Sequence, residues 1–272
     1  MTTPDGIDWY VEQFPPTTEA TPDPIILIPS GEGDCGNLQK LGTLLASSGY
    51  RAISFDNPGF SRTQAPKEAY EYITPQLFAD QIIGLLDKLD VKKAFFFGNS
   101  SGGCAVLSIA ALYPDRVRCG IVHEVPLEAF PLFAEVTAKS DEDAADWCEY
   151  FFANHFIEQD ENDGRRKWDA LGAEYHARLK GNYVRWVRSL LNHFEGETGD
   201  LVTTEVLKNV PIFWTVGGMS QREHWGKDFE VADKAGITVR TDVLHCLHFP
   251  YVSIPERLRD WIVENVEQTK AS

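Results

Sequence analysis

Ala94-Phe95-Phe96-Phe97-Gly98-Asn99-Ser100-Ser101-Gly102-Gly103-Cys104-Ala105-Val106 is the stretch from which the rest of the chain can be read. Its apolar, aromatic first part, Ala94 to Gly98, predicts a buried strand, and the apolar residues from Ser101 to Tyr113 predict a helix. The turn between them, Gly98-Asn99-Ser100-Ser101-Gly102, fits G-x-S-x-G. That motif carries chemistry only where a strand enters and a helix leaves, because the serine then stands exposed on a strained turn. Small residues must flank it so that strand and helix can approach, and Gly98, Gly102 and Gly103 meet that need. Ser100 is the candidate nucleophile rather than Ser101, which has Asn99 and not glycine two residues before it. The plain alternative is a Ser/Gly turn that caps a helix; the flanking strand and helix favour the nucleophile.

Outward from this turn, strand and helix patterns alternate. Ile7 to Phe14 predicts a half-exposed strand, and Pro15 to Pro24 a turn segment. Ile25-Ile26-Leu27-Ile28 reads as a strand covered on both faces. Helix Asn37 to Ser48, strand Tyr50 to Asp56, helix Thr74 to Leu89 and strand Cys119 to Glu124 follow. The repetition predicts an α/β fold: a mainly parallel sheet with helices on both faces. After Pro126 the rhythm breaks. Helical patterns over Leu127–Lys139, Glu142–His155, Arg165–Leu179 and Tyr183–His193 occupy the chain to about Leu207. Strand Pro211 to Val216, helix Glu223 to Ala235, strand Ile237 to Leu244 and helix Pro255 to Gln268 then resume it. The expected organisation is a core of residues 1–125 and 208–272, with a helical lid, 126–207, inserted between two strands.

A serine hydroxyl needs an imidazole to take its proton and a carboxylate to orient that imidazole. On this topology the histidine comes last in the chain. Of seven histidines, His245 and His248 alone follow the final strand. His248, in the loop before Phe249-Pro250, is favoured over His245 at the strand end. The usual place for the acid is the loop after Pro211 to Val216, yet Gly217-Gly218-Met219-Ser220-Gln221 holds no carboxylate. Glu124 ends the strand beside the nucleophile, where an unpaired charge would be costly to bury. It is therefore the assigned acid, with Glu223 as the fallback.

The loop Ser30-Gly31-Glu32-Gly33-Asp34-Cys35-Gly36 contains G-x-G-x-x-G, and Asp56 ends the next strand about twenty residues on, the outline of a dinucleotide site. Glu32 and Asp34 oppose it, since they would set two carboxylates against a pyrophosphate. Beside a nucleophilic serine the same loop supplies a backbone N–H for an oxyanion, from Gly31, next to the N–H of Ser101.

A formal net charge of −16 argues against nucleic acid and anionic membranes. The five cysteines are scattered without a C-x-x-C pair, which suits buried thiols in a reducing cytoplasm better than disulfides or zinc. With no signal-peptide pattern and no long apolar run, a cytoplasmic enzyme is expected.

These residues also resemble the fungal zearalenone lactonases, which are lidded α/β-hydrolases, over nearly the whole chain. The likeness is carried by Ser100-Ser101-Gly102, Tyr113-Pro114-Asp115-Arg116, His123-Glu124-Val125-Pro126, His176-Ala177-Arg178-Leu179, Asn182-Tyr183 with Trp186, and His248-Phe249-Pro250-Tyr251-Val252-Ser253. The resemblance implies a triad of Ser100, Glu124 and His248. It implies substrate contact by Trp186 and wall positions at Pro126, Leu247 and Phe249. The expected reaction is hydrolysis of a resorcylic macrolactone, followed by spontaneous decarboxylation of the product, with no metal or organic cofactor. The expected partner is the small-molecule lactone, and a homodimer is a possible assembly. Ser30 and Glu32 depart from the family pattern, as does the loop Met219 to Trp225. The rival readings are another carboxylesterase or lactonase, and a ligand receptor on the same scaffold.

Overall fold

The computed structural model describes residues 1–16, 23–128, 131–194, 198, 201, 202 and 204–271. The turn expected over Pro15 to Pro24 falls largely outside them. Among the described residues, seven strands form one sheet: β1 Val11–Phe14, β2 Ile25–Ile28, β3 Ala52–Phe55, β4 Ala94–Asn99, β5 Val117–His123, β6 Ile212–Thr215 and β7 Val239–Arg240. Their order is β1-β3-β2-β4-β5-β6-β7. β1 runs antiparallel to β3, and every other pair is parallel. Strands β2, β3 and β4 are buried throughout, as continuous apolar strands covered on both faces must be.

Helices α1 Gln39–Ser47, α2 Pro75–Lys88 and α3 Ser101–Leu112 connect the strands of the first half. Thr74 caps α2 by accepting the Leu77 N–H, with Pro75 in the first turn where its missing N–H costs nothing. Between β5 and β6 lie α4 Pro131–Thr137, α5 Asp141–Phe151, α6 Gly164–Asp169 and α7 Ala173–Arg185. Helices α8 Gly226–Lys234 and α9 Pro255–Ala271 complete the chain. A continuous apolar core runs from the sheet into the inserted helices, joining Phe97 and Ile121 to Phe152, Trp168 and Tyr183.

Several elements differ from their sequence patterns. β1 starts at Val11, and Ile7 and Trp9 instead bury themselves in a segment held by bridges from Asp8 to Thr2 and Gln64. At the sheet edge, β7 keeps only Val239 and Arg240 in register with β6, because no further strand rewards a longer run. The helices expected over Arg165–Leu179 and Tyr183–His193 are divided elsewhere. Gly172, at φ +93°, ends the first piece, and α7 then runs through Gly181 to Arg185, continuing as π-helical turns over Trp186–Phe194.

Strand order places the site. The chain moves from β2 to β3 on one side and returns to β4 on the other, so β2 and β4 adjoin where the order reverses. Loops at the carboxyl ends of such strands form a crevice. Here the loop after Ile28 meets the turn after Asn99, because Ile28 pairs with Gly98.

Candidate active site

Ser100 stands between β4 and α3 at φ +55°, ψ −128°, a conformation that L residues rarely adopt. The surrounding glycines hold it there. A Cβ on Gly98 would lie 2.2 Å from Gly102 O, and one on Gly102 would lie 2.6 Å from both Ile28 O and Pro29 O. Those contacts are backbone, so neither position tolerates a side chain without moving a strand. They also set the start of α3 against the backbone of Ile28 and Pro29, at the start of the loop after β2.

β5 pairs with β4, and Asn99 lies opposite His123. Glu124 follows at φ +48°. Its Oε2 accepts the His248 Nδ1–H at 2.6 Å, and its Oε1 accepts the Gly217 N–H at 2.9 Å. The carboxyl is fully buried. Burial opposes its ionisation, but attraction to His123, once acid protonates that ring, and the His248 hydrogen bond outweigh that and hold it at about 2. An ionised carboxylate only accepts, so it fixes the proton of His248 on Nδ1 and turns the Nε2 lone pair outward. That Nε2 is buried and has no hydrogen-bond partner among the described residues. The ring is held by Phe156, 4.1 Å away between centroids, and by Trp225, stacked at 5.6 Å and 11°. Asn99 Nδ2–H donates to His248 O at 3.0 Å, which ties the histidine loop to β4.

Behind the carboxylate, His123 Nδ1 lies 2.9 Å from Thr215 Oγ1, and burial pushes this imidazole down to about 4, so it stays neutral. Asp228 Oδ2 accepts both the Val125 N–H at 2.9 Å and the Trp214 Nε1–H at 3.0 Å. It thereby fixes the backbone on the far side of Glu124, and burial raises its carboxyl well above the ordinary range.

Ser100, Glu124 and His248 open on one cavity of about 740 Å³. Pro126, Leu247 and Trp186 line it, and so do Phe133, Trp147, Phe156 and Trp225. Phe249 does not. It is wholly buried behind the wall, stacked on Trp168 at 5.9 Å and packed against Phe152 and Phe156, so its bulk supports the lining rather than forming it. His245 points to the surface, with Nε2 3.3 Å from Glu161 Oε2. Glu223 is exposed and takes no place in the cavity lining.

The glycine-rich loop is already occupied by the chain's own carboxylates. Cys35 N–H donates to Asp56 Oδ1 and Gly36 N–H to Asp34 Oδ1, each at 2.8 Å. Asp56 is spent on Arg62 as well, at 2.7 Å. The anion this loop cradles is internal, which accounts for a dinucleotide-like spacing without a dinucleotide. Among the described residues, no group of three or more His, Cys, Asp or Glu side chains is arranged to hold a metal ion, and no helix is long and apolar enough to cross a membrane.

Gly217, Asn99, Trp225, Phe156 and Asp228 are site residues that the sequence does not mark. Only Asp228, an acid on an apolar helix face, offers any hint there; Gly217 acts through its backbone N–H, Asn99 through its side-chain amide, and Trp225 and Phe156 through ring packing.

A family model described as the alpha/beta hydrolase fold matches residues 23–185. The chain is 34% identical over 269 residues to the zearalenone hydrolase of Bionectria ochroleuca, covering 98% of this chain and 97% of that protein. It is 36% identical over 267 residues to the zearalenone hydrolase of Cladophialophora bantiana, covering 98% and 95%. Among solved structures, the enol-lactonase from Burkholderia xenovorans shares the fold, with a TM-score of 0.76 at 16% identity over 95% of this chain and 96% of that one.

Proposed function

Since this chain belongs to the zearalenone hydrolases of the α/β-hydrolase family, we propose that it opens the ring ester of a resorcylic macrolactone such as zearalenone through Ser100, His248 and Glu124. The observation that carries the reading is the buried Glu124–His248 pair at 2.6 Å, whose free Nε2 shares a cavity wall with Ser100. Resting enzymes often hold the serine–histidine contact long and tighten it only with substrate bound.

His248 Nε2 takes the proton of Ser100 as Oγ attacks the ester carbonyl, and Glu124 stabilises the imidazolium that forms. The N–H groups of Gly31 and Ser101 receive the oxyanion. Collapse expels the ring alkoxide, which takes its proton from His248 and remains tethered to the acyl-enzyme. Water, deprotonated by His248, then releases the hydroxy acid. The aromatic lining from Phe133, Trp147, Trp186 and Trp225 suits a bulky neutral ring, and the segment inserted between β5 and β6 supplies the first three of these rings.

Multiple-turnover assay against zearalenone tests this directly, with Ser100→Ala as control. Ring opening that vanishes in Ser100→Ala is the expected result. An untouched lactone alongside cleavage of a simple aryl ester would reassign the substrate, and tight binding without sustained turnover would make the protein a receptor.

A further inference from the structure

One face of α7 lies along the loop that carries Gly31, contacting it about once per turn. Along the helix from its N-terminus, Tyr175 Cδ2 is 2.9 Å from where a Cβ on Gly36 would stand. Arg178 Nε–H donates to Asp34 Oδ2 at 2.6 Å. Asn182 Nδ2–H donates to Glu32 O at 2.7 Å. Trp186 Nε1 comes within 2.4 Å of where a Cβ on Gly31 would stand. The helix and the loop thus run in opposite directions: residues 175, 178, 182 and 186 meet 36, 34, 32 and 31. The helical period of 3.6 places these four side chains on one stripe.

These contacts are built for rigidity. Asp34 is completely buried, and its charge is held by Arg178 and by Arg62 Nη2 at 3.2 Å. Asn182 is 1% exposed. Besides donating to Glu32 O, its amide donates to Ser61 Oγ at 2.7 Å and accepts the Ser61 N–H at 2.9 Å. Both its oxygen and its nitrogen are therefore committed to backbone geometry around the loop. Gly31 itself is not in a left-handed conformation. Its lack of a side chain answers to the indole pressed against it.

We infer that α7 is the positioning element for the oxyanion loop, with Asn182 and Arg178 as its positioning residues. Seating this helix sets where the Gly31 N–H points, and the acylation chemistry runs only while the helix is seated. The inference rests on Gly31 serving the oxyanion, as proposed above. It gives the inserted helical segment a task beyond covering the cavity: moving it away dismantles the place where the developing charge is received.

The test assays Asn182→Ala, Arg178→Gln and Ser100→Ala against zearalenone and p-nitrophenyl butyrate, and follows inactivation by a p-nitrophenyl alkylphosphonate. The phosphonate P=O must be received by the same N–H groups, so its rate reports the oxyanion site apart from substrate fit. In Asn182→Ala, kcat and the phosphonate rate should fall together by roughly 10²-fold, the effect of a 1 Å misplacement, with KM within about threefold of the parent. A raised KM with unchanged kcat and phosphonate rate would make α7 a binding wall only and overturn the inference. Should Asn182→Ala fail to fold, Arg178→Gln carries the same test at smaller amplitude, since that side chain is 26% exposed. Turnover surviving in Ser100→Ala would remove the site assignment itself. Full kcat in Asn182→Ala beside a dead Ser100→Ala would remove only the inference.

Discussion

Glu124→Gln exchanges one oxygen for an amide nitrogen at constant shape, and two hydrogen bonds set its consequences. Glu124 is an acceptor at both ends, from His248 Nδ1–H and from Gly217 N–H. Glutamine has a single acceptor oxygen. If that oxygen stays on Gly217, the amide nitrogen faces Nδ1 and donates to it. The imidazole then carries its proton on Nε2 and cannot take one from Ser100. If the amide turns round, its NH2 opposes the Gly217 N–H and leaves a buried donor unpaired, costing about 1–3 kcal/mol. The inactive orientation is thus favoured by roughly five- to 150-fold. Loss of the negative charge beside the imidazolium supplies the remainder. The expected fall in kcat is about 10⁴-fold, or about 5 kcal/mol of barrier, as when the triad carboxylate of a serine protease is amidated. The assay is zearalenone ring opening at saturating substrate, with thermal melting to show that the variant is folded. Glu223→Gln, on an exposed turn, should stay within about twofold of the parent. An active Glu124→Gln, within about tenfold of the parent, or an inactive Glu223→Gln, would refute the assignment.

Gly31→Ala should lose about 10²-fold in kcat/KM, because its Cβ would stand 2.4 Å from Trp186 Nε1. Adding Trp186→Ala should restore part of that loss, and strictly additive losses in the four-enzyme cycle would show that the indole is not what demands glycine. Burial lowers His123 from 6.5 to about 4. The unfolded chain therefore binds this proton first as pH falls, and stability drops across that window by up to about 3 kcal/mol. Glu124, lowered from 4.5 to about 2, extends the loss further into acid. His123→Gln should flatten the upper part of the melting-temperature profile between about pH 8 and pH 4, and an unchanged slope would count against a neutral His123. Asp228 has the opposite sign: its raised carboxyl favours the fold at low pH, and that contribution is lost as pH rises through the folded-state value. Asp228→Asn keeps an oxygen for Val125 and Trp214, so it should melt higher at neutral pH by about 2–4 °C per kcal/mol gained, with the gap closing in acid.

Whatever depends on neighbours along the chain was already decided by the order of the residues. The apolar run Ala94–Phe97, the glycines at 98, 102 and 103, and Ser100 between them specify a strand, a strained turn and a helix, because backbone sterics act over a few residues. The missing carboxylate after Val216 is equally local, and it points to Glu124 as the candidate acid. Edges were less legible: β7 is shortened by having a partner on one side only, and a helix runs through Gly181 because one glycine costs less than the packing around it returns. Choices between neighbours of like chemistry were left to the folded chain. His248 faces Glu124 while His245, three positions earlier, meets Glu161 at the surface; Leu247 lines the cavity while Phe249 packs behind it. Folding alone brings Asn182 to Glu32 O, 150 residues away in sequence. Such contacts are set by strand order and helix placement, and a pattern along the chain carries no record of which face of a helix will meet which loop.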